Sequence, residues 1–433
     1  MRTLHAYLNG QRVGTLSEGN DLWSFAYDPE WARAPGSFDL APGLDRATPV
    51  HQDGATLRPV QWYFDNLLPE EALREALIKD AGLHGDDAFA LLQYLGAESA
   101  GSLVLLPPGA DVRERDQLKA LADDALSQRI RELPRRSLSS GAPKQMSVAG
   151  AQHKLLVVWR DGQLFEPVGA EPSTHILKPN HLSDDYPSSV INEYAVQRLG
   201  ARLALGSPKV HRLYVPEPVY LIERFDRFTD AHGMTQRQHV IDACQLLNKS
   251  RNFKNMSASL TTLAACIDQC RNRASARLQL YRWLMFNVLI GNDDNHLKNI
   301  SFLVSEQGIE VSPPYDMLCT AVYRTVAFAD GRASWPAVDL MIALPGAAQF
   351  GDVTRDAMLR AGEALGLNRR ISERELDRMT VALPDALAAV LAEIEAQNAD
   401  YPAPVRVFLG GELRLLRAVQ NVVLPFMLGQ VAA

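Results

Sequence analysis

Cysteine is scarce: the 433-residue chain has four, Cys244, Cys266, Cys270 and Cys319, with neither the spacing of a zinc site nor that of a disulfide scaffold. Cys266 and Cys270 stand four apart in a helical pattern without histidine partners and are read as packing residues. Long apolar runs are missing too. The stretch from Leu284 to Ile290 is broken by Asn287 and falls far short of the roughly 20 residues a membrane-spanning helix needs. The N-terminal segment reaches the turn Asn9-Gly10 before an apolar signal-peptide core develops. Nor is basic charge in excess. The 44 Lys and Arg against 51 Asp and Glu leave a net charge of -7, whereas nucleic-acid binding rests on a basic surface that releases counterions. The expectation is a cytoplasmic protein without membrane contact that meets DNA only indirectly, through a partner.

What is present is a globular composition, 47% hydrophobic and 22% charged, in a chain long enough for two to three domains of about 100–200 residues. The first part reads as a small α+β unit. Leu4 to Leu8 and Gln11 to Leu16 flank Asn9-Gly10, the strongest short hairpin signal, and Leu22 to Tyr27 alternates as a third strand. Helices are expected from Pro69 to Leu77 and from Asp87 to Leu95, with a closing strand over Leu103 to Leu106. A charged helical pattern runs from Arg113 to Glu132, followed by a turn-rich linker to Gln145. Strands are expected at 155–160, 164–167, 174–177, 210–215 and 219–225, with a helix at 189–203 among them. Helices then dominate: 239–247, 260–270, 277–290, 353–365 and 384–396. The fold class expected is α+β, a two-lobed protein-kinase-like fold with a β-rich N-lobe, an extra N-terminal α+β subdomain and a C-lobe dominated by α-helices. The boundaries drawn are 1–110, a helix and linker at 111–145, a nucleotide-binding region at 146–228, and the helical lobe at 229–433.

The densest polar cluster, Gly291-Asn-Asp-Asp-Asn-His-Leu-Lys-Asn299, directly follows the most apolar helix. Asp294 and Asn299 have the spacing at which a kinase catalytic loop places its substrate-orienting Asp and its metal-binding Asn. Asp316, past a possible hairpin, falls where a second metal-ligand carboxylate belongs. Taken alone, Asp-x4-Asn is an ordinary turn sequence. Upstream, Ser147-Val-Ala-Gly-Ala-Gln-His-Lys154 supplies a small-residue loop whose backbone N–H groups can approach phosphate oxygens. Lys178 ends an apolar strand, and Glu193 on the next helix is its natural partner, because a lysine in such a setting is costly unless paired. Loop, Lys, helix Glu, Asp-x4-Asn and a later Asp occur in the order phosphoryl transfer demands.

Several of these motifs together resemble the HipA family of serine/threonine kinase toxins: Ser147-Val-Ala-Gly-Ala-Gln-x-Lys154, Thr174-His-Ile-x-Lys178, Asn192-Glu-Tyr194, Glu223-Arg-Phe-Asp-Arg227, Asp294-x-His-x-Lys-Asn299 and Tyr315-Asp316. The resemblance continues through Asn9-Gly-Gln-Arg-Val-Gly14 and Trp62-Tyr-Phe-Asp-Asn-Leu-Leu-Pro69. It implies an ATP- and Mg2+-dependent kinase in which Asp294 is catalytic and Asn299 and Asp316 hold magnesium. Val148, Ala149, Gly150, Ala151, Gln152, Lys154 and Lys178 would cradle the phosphates, with His296 and Lys298 assisting from the catalytic loop. The segment from Glu223 to Phe225 would face the adenine, and Ser147 would be autophosphorylated. The implied partners are a protein substrate such as an aminoacyl-tRNA synthetase and a DNA-binding antitoxin of the HipB type. The sequence departs from the family at Val240-Ile241, where Gln-Glu-Asp is common and only the last acid, Asp242, is kept, and at His153, where an acid is usual. Two other readings stand beside this one. A phosphoinositide-kinase-like or small-molecule kinase would share Asp-x-His-x-x-Asn, and a non-catalytic corepressor would bind the antitoxin without needing all of Lys178, Asp294, Asn299 and Asp316.

Overall fold

The computed structural model describes residues 1–432 except 84, 100, 111–116, 145, 147–149 and 151. The chain forms two compact units that are discontinuous in sequence: Met1–Lys178 with Ile222–Phe253 and Ser301–Glu310, and Pro179–Leu221 with Lys254–Ile300 and Val311–Ala433. They therefore cut across a linear division at 110, 145 and 228.

In the first unit, the expected hairpin forms with Leu8 opposite Gln11, and it grows into a five-stranded antiparallel sheet bounded by Val50–Gln52 and Val104–Leu106. Alternation along its strands buries Leu4, Ala6, Val13, Leu16, Trp23 and Phe25 on one face. That face is covered by helices Pro59–Asp65 and Ala88–Leu95: Phe64 lies 5.5 Å from Phe25 and Phe89 lies 5.2 Å from Trp23. The Pro59 helix is absent from the expected elements, since it is short and its start is signalled from a distance. Asp53 accepts from the N–H groups of Val60 and Gln61 at 2.9 and 3.1 Å. The expected helix after Pro69 runs from Glu71 to Asp80.

The same unit carries a second antiparallel run in the order His175–Pro179, Leu155–Arg160, Gln163–Val168, Gln117–Ala120. Its last strand corrects the helix expected over 113–132. Among the described residues of that span Asp123–Glu132 is helical, and Gln117–Ala120 pairs with Phe165 to Val168 as a polar strand, a composition that suits a sheet edge. A second correction concerns 239–247. His239–Asp242 is a strand paired with Ser301–Ser305, because β-branched Val240 and Ile241 suit a half-buried pleat. Helix begins only at Ala243, where Asp242 and Gln245 form a capping box. Asp242 is thus a cap, which explains the one acid kept in this segment.

His239 is buried against Ser102 Oγ (2.6 Å) and the Leu40 carbonyl (2.8 Å), and burial pushes its imidazole down to about 4. A group whose pKa is depressed on folding contributes stability above its unfolded value, near 6.5, and that contribution is lost as pH falls toward 4. Unfolding midpoints should therefore decline across that window, and a His239→Asn variant should show a shallower decline. Equal slopes in the two proteins would contradict the assignment.

The second unit is helical. Its longest element, Arg369–Asn398, contains Pro384, so the helix expected at 384–396 is the second half of a longer one. Proline reads as a start signal in sequence, but Leu376, Met379, Leu383, Leu387, Val390 and Ile394 continue one buried stripe through it. Helices Arg355–Ala364 and Arg273–Ile290 lie close to expectation. The run from Ala403 to Ala432, two helices joined by a π-turn at Val419–Val423, is missing from the expected elements. By length and composition it could cross a membrane, and 44% of its most apolar window is buried in the structure.

Candidate active site

The residues of the expected catalytic loop are placed by a helix end. Helix Arg273–Ile290 closes on Gly291 in the left-handed region at φ +73. The N–H groups of Gly291 and Asn292 return to the carbonyls of Val288 and Asn287 at 3.2 and 2.9 Å. A β-carbon at Gly291 would sit 2.8 Å from both Ala321 Cβ and Val423 Cγ1, so glycine is required by space as well as by backbone. Asn292 then donates from Nδ2 to Asn287 Oδ1 (2.7 Å) and accepts at Oδ1 from the Asp294 N–H (3.0 Å), while the Asp293 N–H donates to Thr320 Oγ1 (2.7 Å). These side chains take the place of secondary structure in fixing the turn.

Within the loop, Asn299 Nδ2 donates to the Asp294 carbonyl at 2.8 Å, and the His296 N–H donates to the same oxygen at 2.9 Å. The Asn299 donor is thereby used inside the loop, which leaves its Oδ1 as the atom able to meet a cation. The Asp294 side chain is 56% exposed, and His296 Nε2 lies 4.0 Å from its carboxylate. Asp294 has the accessibility an acceptor-orienting carboxylate needs, on a backbone that is tied down.

Asp316 is brought to this loop by its neighbour: Tyr315 Oη donates to the Lys298 carbonyl at 2.7 Å. Asp316 itself is at φ +55, a conformation that costs a non-glycine residue of order 1–3 kcal/mol and persists only where its surroundings hold it. Helix Ser189–Arg202 does the holding. Gln197 Nε2 donates to the Pro314 carbonyl (2.7 Å), and Asn192 exchanges two bonds with Cys319, Nδ2 to the carbonyl at 2.9 Å and Oδ1 from the N–H at 2.8 Å. Glu193, buried on the same helix, shares this neighbourhood. Burial first, and then the negative charges of Glu193 and Asp316, push the Tyr220 phenol well above its ordinary range. The second unit thus gathers Glu193, Asp294, His296, Lys298, Asn299 and Asp316.

The first unit holds the residues expected to contact phosphate and base. Lys178 is buried in strand His175–Pro179, whose Leu177 and Ile176 pair with Leu155 and Leu156. Lys154 leads into that partner strand. Gly150, at φ +108, bridges to Pro69, and its carbonyl accepts from the Glu70 N–H at 3.2 Å. A β-carbon there would lie 2.8 Å from Lys154 Nζ, which places the ammonium against the glycine's backbone. Gln152 is half-buried. Ser147, Val148, Ala149 and Ala151 lie outside the described residues. Glu223 and Phe225 are half-buried, while Arg224 and Asp226, on the alternate positions, are buried.

Those alternate positions enter a charge cluster that the sequence reading missed. Glu98, with no exposure, meets Arg237 (2.6 Å), Lys144 (3.0 Å), Arg227 (3.0 Å) and Arg224 (3.6 Å). Asp226 completes the cluster at 2.7 Å from Arg224 and 2.8 Å from Arg227. The signal available was the motif Glu223-Arg-Phe-Asp-Arg227, two cations and a carboxylate in the turn that follows the apolar strand Pro218–Glu223, which ends two residues short of the expected 225. Among the described residues no group of three His, Cys, Asp or Glu could hold a metal by itself. Asn299 and Asp316 each carry a side-chain oxygen of the hard type that magnesium takes, an ion that usually draws its remaining ligands from phosphates and water.

Family models for the HipA N-terminal domain and the HipA-like C-terminal domain match residues 4–106 and 146–387. The chain belongs to the HipA family, and its fold is the two-lobed α+β fold of kinases. It is 35% identical over 337 residues, 75% of this chain and 78% of the other, to the Sinorhizobium fredii protein Y4mE, which carries a kinase name. It is 28% identical over 418 residues, 92% of this chain and 91% of the other, to the serine/threonine-protein kinase toxin HipA of Shewanella oneidensis. A solved complex of Shewanella oneidensis HipA, HipB and operator DNA superposes with a TM-score of 0.78 at 25% identity, covering 98% of both chains. The protein is accordingly a kinase.

Proposed function

We propose that the chain is the toxin of a HipBA-like toxin–antitoxin module, an ATP- and Mg2+-dependent serine/threonine kinase in which Asp294 orients and deprotonates the acceptor hydroxyl. The observation that carries this reading is the loop around Asp294, whose carbonyl is doubly bonded while its carboxylate stays accessible. Lys178, Lys154 and the backbone around Gly150 would hold the phosphates. Asn299 and Asp316 would hold the magnesium, which when bound neutralises charge on the transferring phosphoryl group. His296 and Lys298 would steady the loop, and Glu223 and Phe225 would meet the adenine. The antitoxin would be a DNA-binding protein of the HipB type, the partner in the Shewanella complex, and the substrate a translation component such as an aminoacyl-tRNA synthetase. Induced expression of the chain should arrest growth, and co-expression of the cognate antitoxin should relieve it. Unimpaired growth with ample soluble protein would remove the toxin role.

Asp316→Ala should weaken nucleotide binding in magnesium by about tenfold or more while changing magnesium-free binding little, because the variant lacks the carboxylate opposite the triphosphate charge. Isothermal titration with and without magnesium measures this, and identical magnesium dependence in the variant would contradict it. Ser147 is proposed as the autophosphorylation site. A phosphate there adds about -1.5 to -2 charges beside the loop assigned to ATP phosphates, so phosphorylated protein should bind ATP more weakly. Phosphopeptide mapping of wild type and Ser147→Ala, with ATP titration of each, tests it. Phosphate confined to other residues, or undiminished ATP affinity of the Ser147 phosphoform, would refute it.

A further inference from the structure

The second unit contains a cavity of about 460 Å³ whose one link to the site described above is Gln197, which lines it with Oε1 free while its Nε2 holds the Pro314 carbonyl. Its size is within the range of about 300–1,000 Å³ typical of small-molecule sites. Helix Ser189–Arg202 forms one wall with Tyr194, Gln197 and Arg198, the segment from Ser207 to Leu213 forms another, and Gln397 and Tyr401 close it.

Three features of the wall narrow what it can hold. The first is charge. Arg198, Lys209 and Arg212 line the cavity and no carboxylate does. Arg212 is matched by buried Glu412 at 3.2 Å, and Arg198 by Glu393 at 2.8 Å in a pair about 40% exposed on each side. Exposed Lys209 has no such match among the described residues.

The second is aromatic surface. Tyr194 and Tyr401 both border the space, with the Arg212 guanidinium 5.7 and 5.4 Å from their ring centres. Ala201, Pro208, Val210 and Leu213 complete an apolar lining between them.

The third is unmet hydrogen bonding. Three polar atoms of residues that line the cavity are buried without a partner among the described residues: Gln197 Oε1, Ser207 Oγ and Arg212 Nε. Gln197 is wholly buried and Arg212 is 6% exposed, so solvent at the surface does not satisfy them. Buried polar groups without partners are few in native proteins, and a group of them at one cavity asks for a ligand or ordered water. A space this large, against about 30 Å³ per water molecule, flanked by two tyrosines and by an unmatched cation, is suited to more than water.

We propose that this cavity is a second ligand site, taking a small aromatic anion, a planar ring bearing a phosphate or carboxylate. The ring would lie against Tyr194 and Tyr401, the anionic group would meet Lys209 and Arg198, and the polar wall, Arg212 and Gln197 first, would turn to the ligand's remaining donors and acceptors.

The test uses the full chain saturated with magnesium and a non-hydrolysable ATP analogue, so that the nucleotide site is filled. Fluorine NMR titrations with 4-fluorophenyl phosphate and 4-fluorobenzoate are compared with neutral 4-fluorobenzyl alcohol, and unlabelled inorganic phosphate is added as competitor. At least one aromatic anion should bind saturably, at one equivalent and about tenfold more tightly than the neutral ring. Whichever anion binds more tightly identifies the anionic group. Lys209→Glu, a surface change, and Tyr401→Ala should each weaken binding about tenfold or more, with the unfolding midpoint unchanged. If Tyr401→Ala proves unstable, Lys209→Glu alone decides. Three results would overturn the proposal: no saturable binding, equal affinity for the neutral ring, or binding that Lys209→Glu leaves unaltered. Inorganic phosphate that competes as strongly as the aromatic anions would overturn the aromatic part and leave a plain anion site.

Discussion

Asp294→Asn is expected to lower phosphoryl transfer by about 10²–10⁴, the usual contribution of a positioned general base, while ATP affinity changes little. In the proposed role the carboxylate would act on the acceptor hydroxyl rather than on the nucleotide, and its backbone anchors do not involve the side chain. Asn299 Nδ2 and the His296 N–H bond to the Asp294 carbonyl, and the Asp294 N–H bonds to Asn292, so asparagine should keep the loop in place. Single-turnover transfer and equilibrium nucleotide binding, measured on the same preparation, separate the two quantities. Wild-type transfer in the variant would remove Asp294 from the mechanism, and a parallel loss of nucleotide affinity would show that the loop had collapsed.

Glu98→Gln is expected to be the most damaging single change to stability, by about 3–5 kcal/mol, the cost of leaving buried charge uncompensated. In the intact cluster Lys144, Arg224, Arg227 and Arg237 face Glu98 and Asp226, so among these six groups the substitution leaves one carboxylate beside four buried cations. Burial by itself would raise the Glu98 carboxyl; Arg237, Lys144, Arg227 and Arg224 outweigh it and hold it well below the usual carboxylate range. Since its pKa is depressed on folding, its contribution is complete above the ordinary carboxylate range and disappears only as pH falls far below it. Urea unfolding followed by circular dichroism measures the effect. Glu393→Gln, which breaks the exposed pairs with Arg198 and Arg202, is the control and should change little. Equal effects of the two substitutions would contradict the role assigned to the buried cluster.

The local signals that sequence carries well concern turns and helix ends. Asn9-Gly10 marked its hairpin, and Gly291 marked the end of its helix with the catalytic loop beyond it. Failures arose where partners distant in sequence decide. Gln117–Ala120 has charged neighbours suited to a helix and becomes a strand because Gln163–Val168 offers an edge. Val240 and Ile241 are drawn into a strand by Ser301–Ser305. Pro384 was read as a beginning because the buried stripe on either side of it is continuous only in three dimensions. For the site, the order Lys178, Glu193, Asp294, Asn299, Asp316 was legible as an expectation, because kinase chemistry fixes residue types. The supports were not: Gln197 and Asn192 bracket Asp316 through backbone atoms of Pro314 and Cys319, and no spacing rule links a helix to carbonyls more than a hundred residues away. The Glu98 cluster was hidden for the same reason, its members coming from segments far apart in the chain.

The central claim is tested most directly by incubating the purified chain with γ-labelled ATP and a protein acceptor, with and without magnesium, and identifying the labelled residue by mass spectrometry. The account predicts magnesium-dependent label on serine or threonine, present with wild type and lost with Asp294→Asn. Absence of transfer from folded wild-type protein that binds ATP, or transfer that survives Asp294→Asn at full rate, would contradict it.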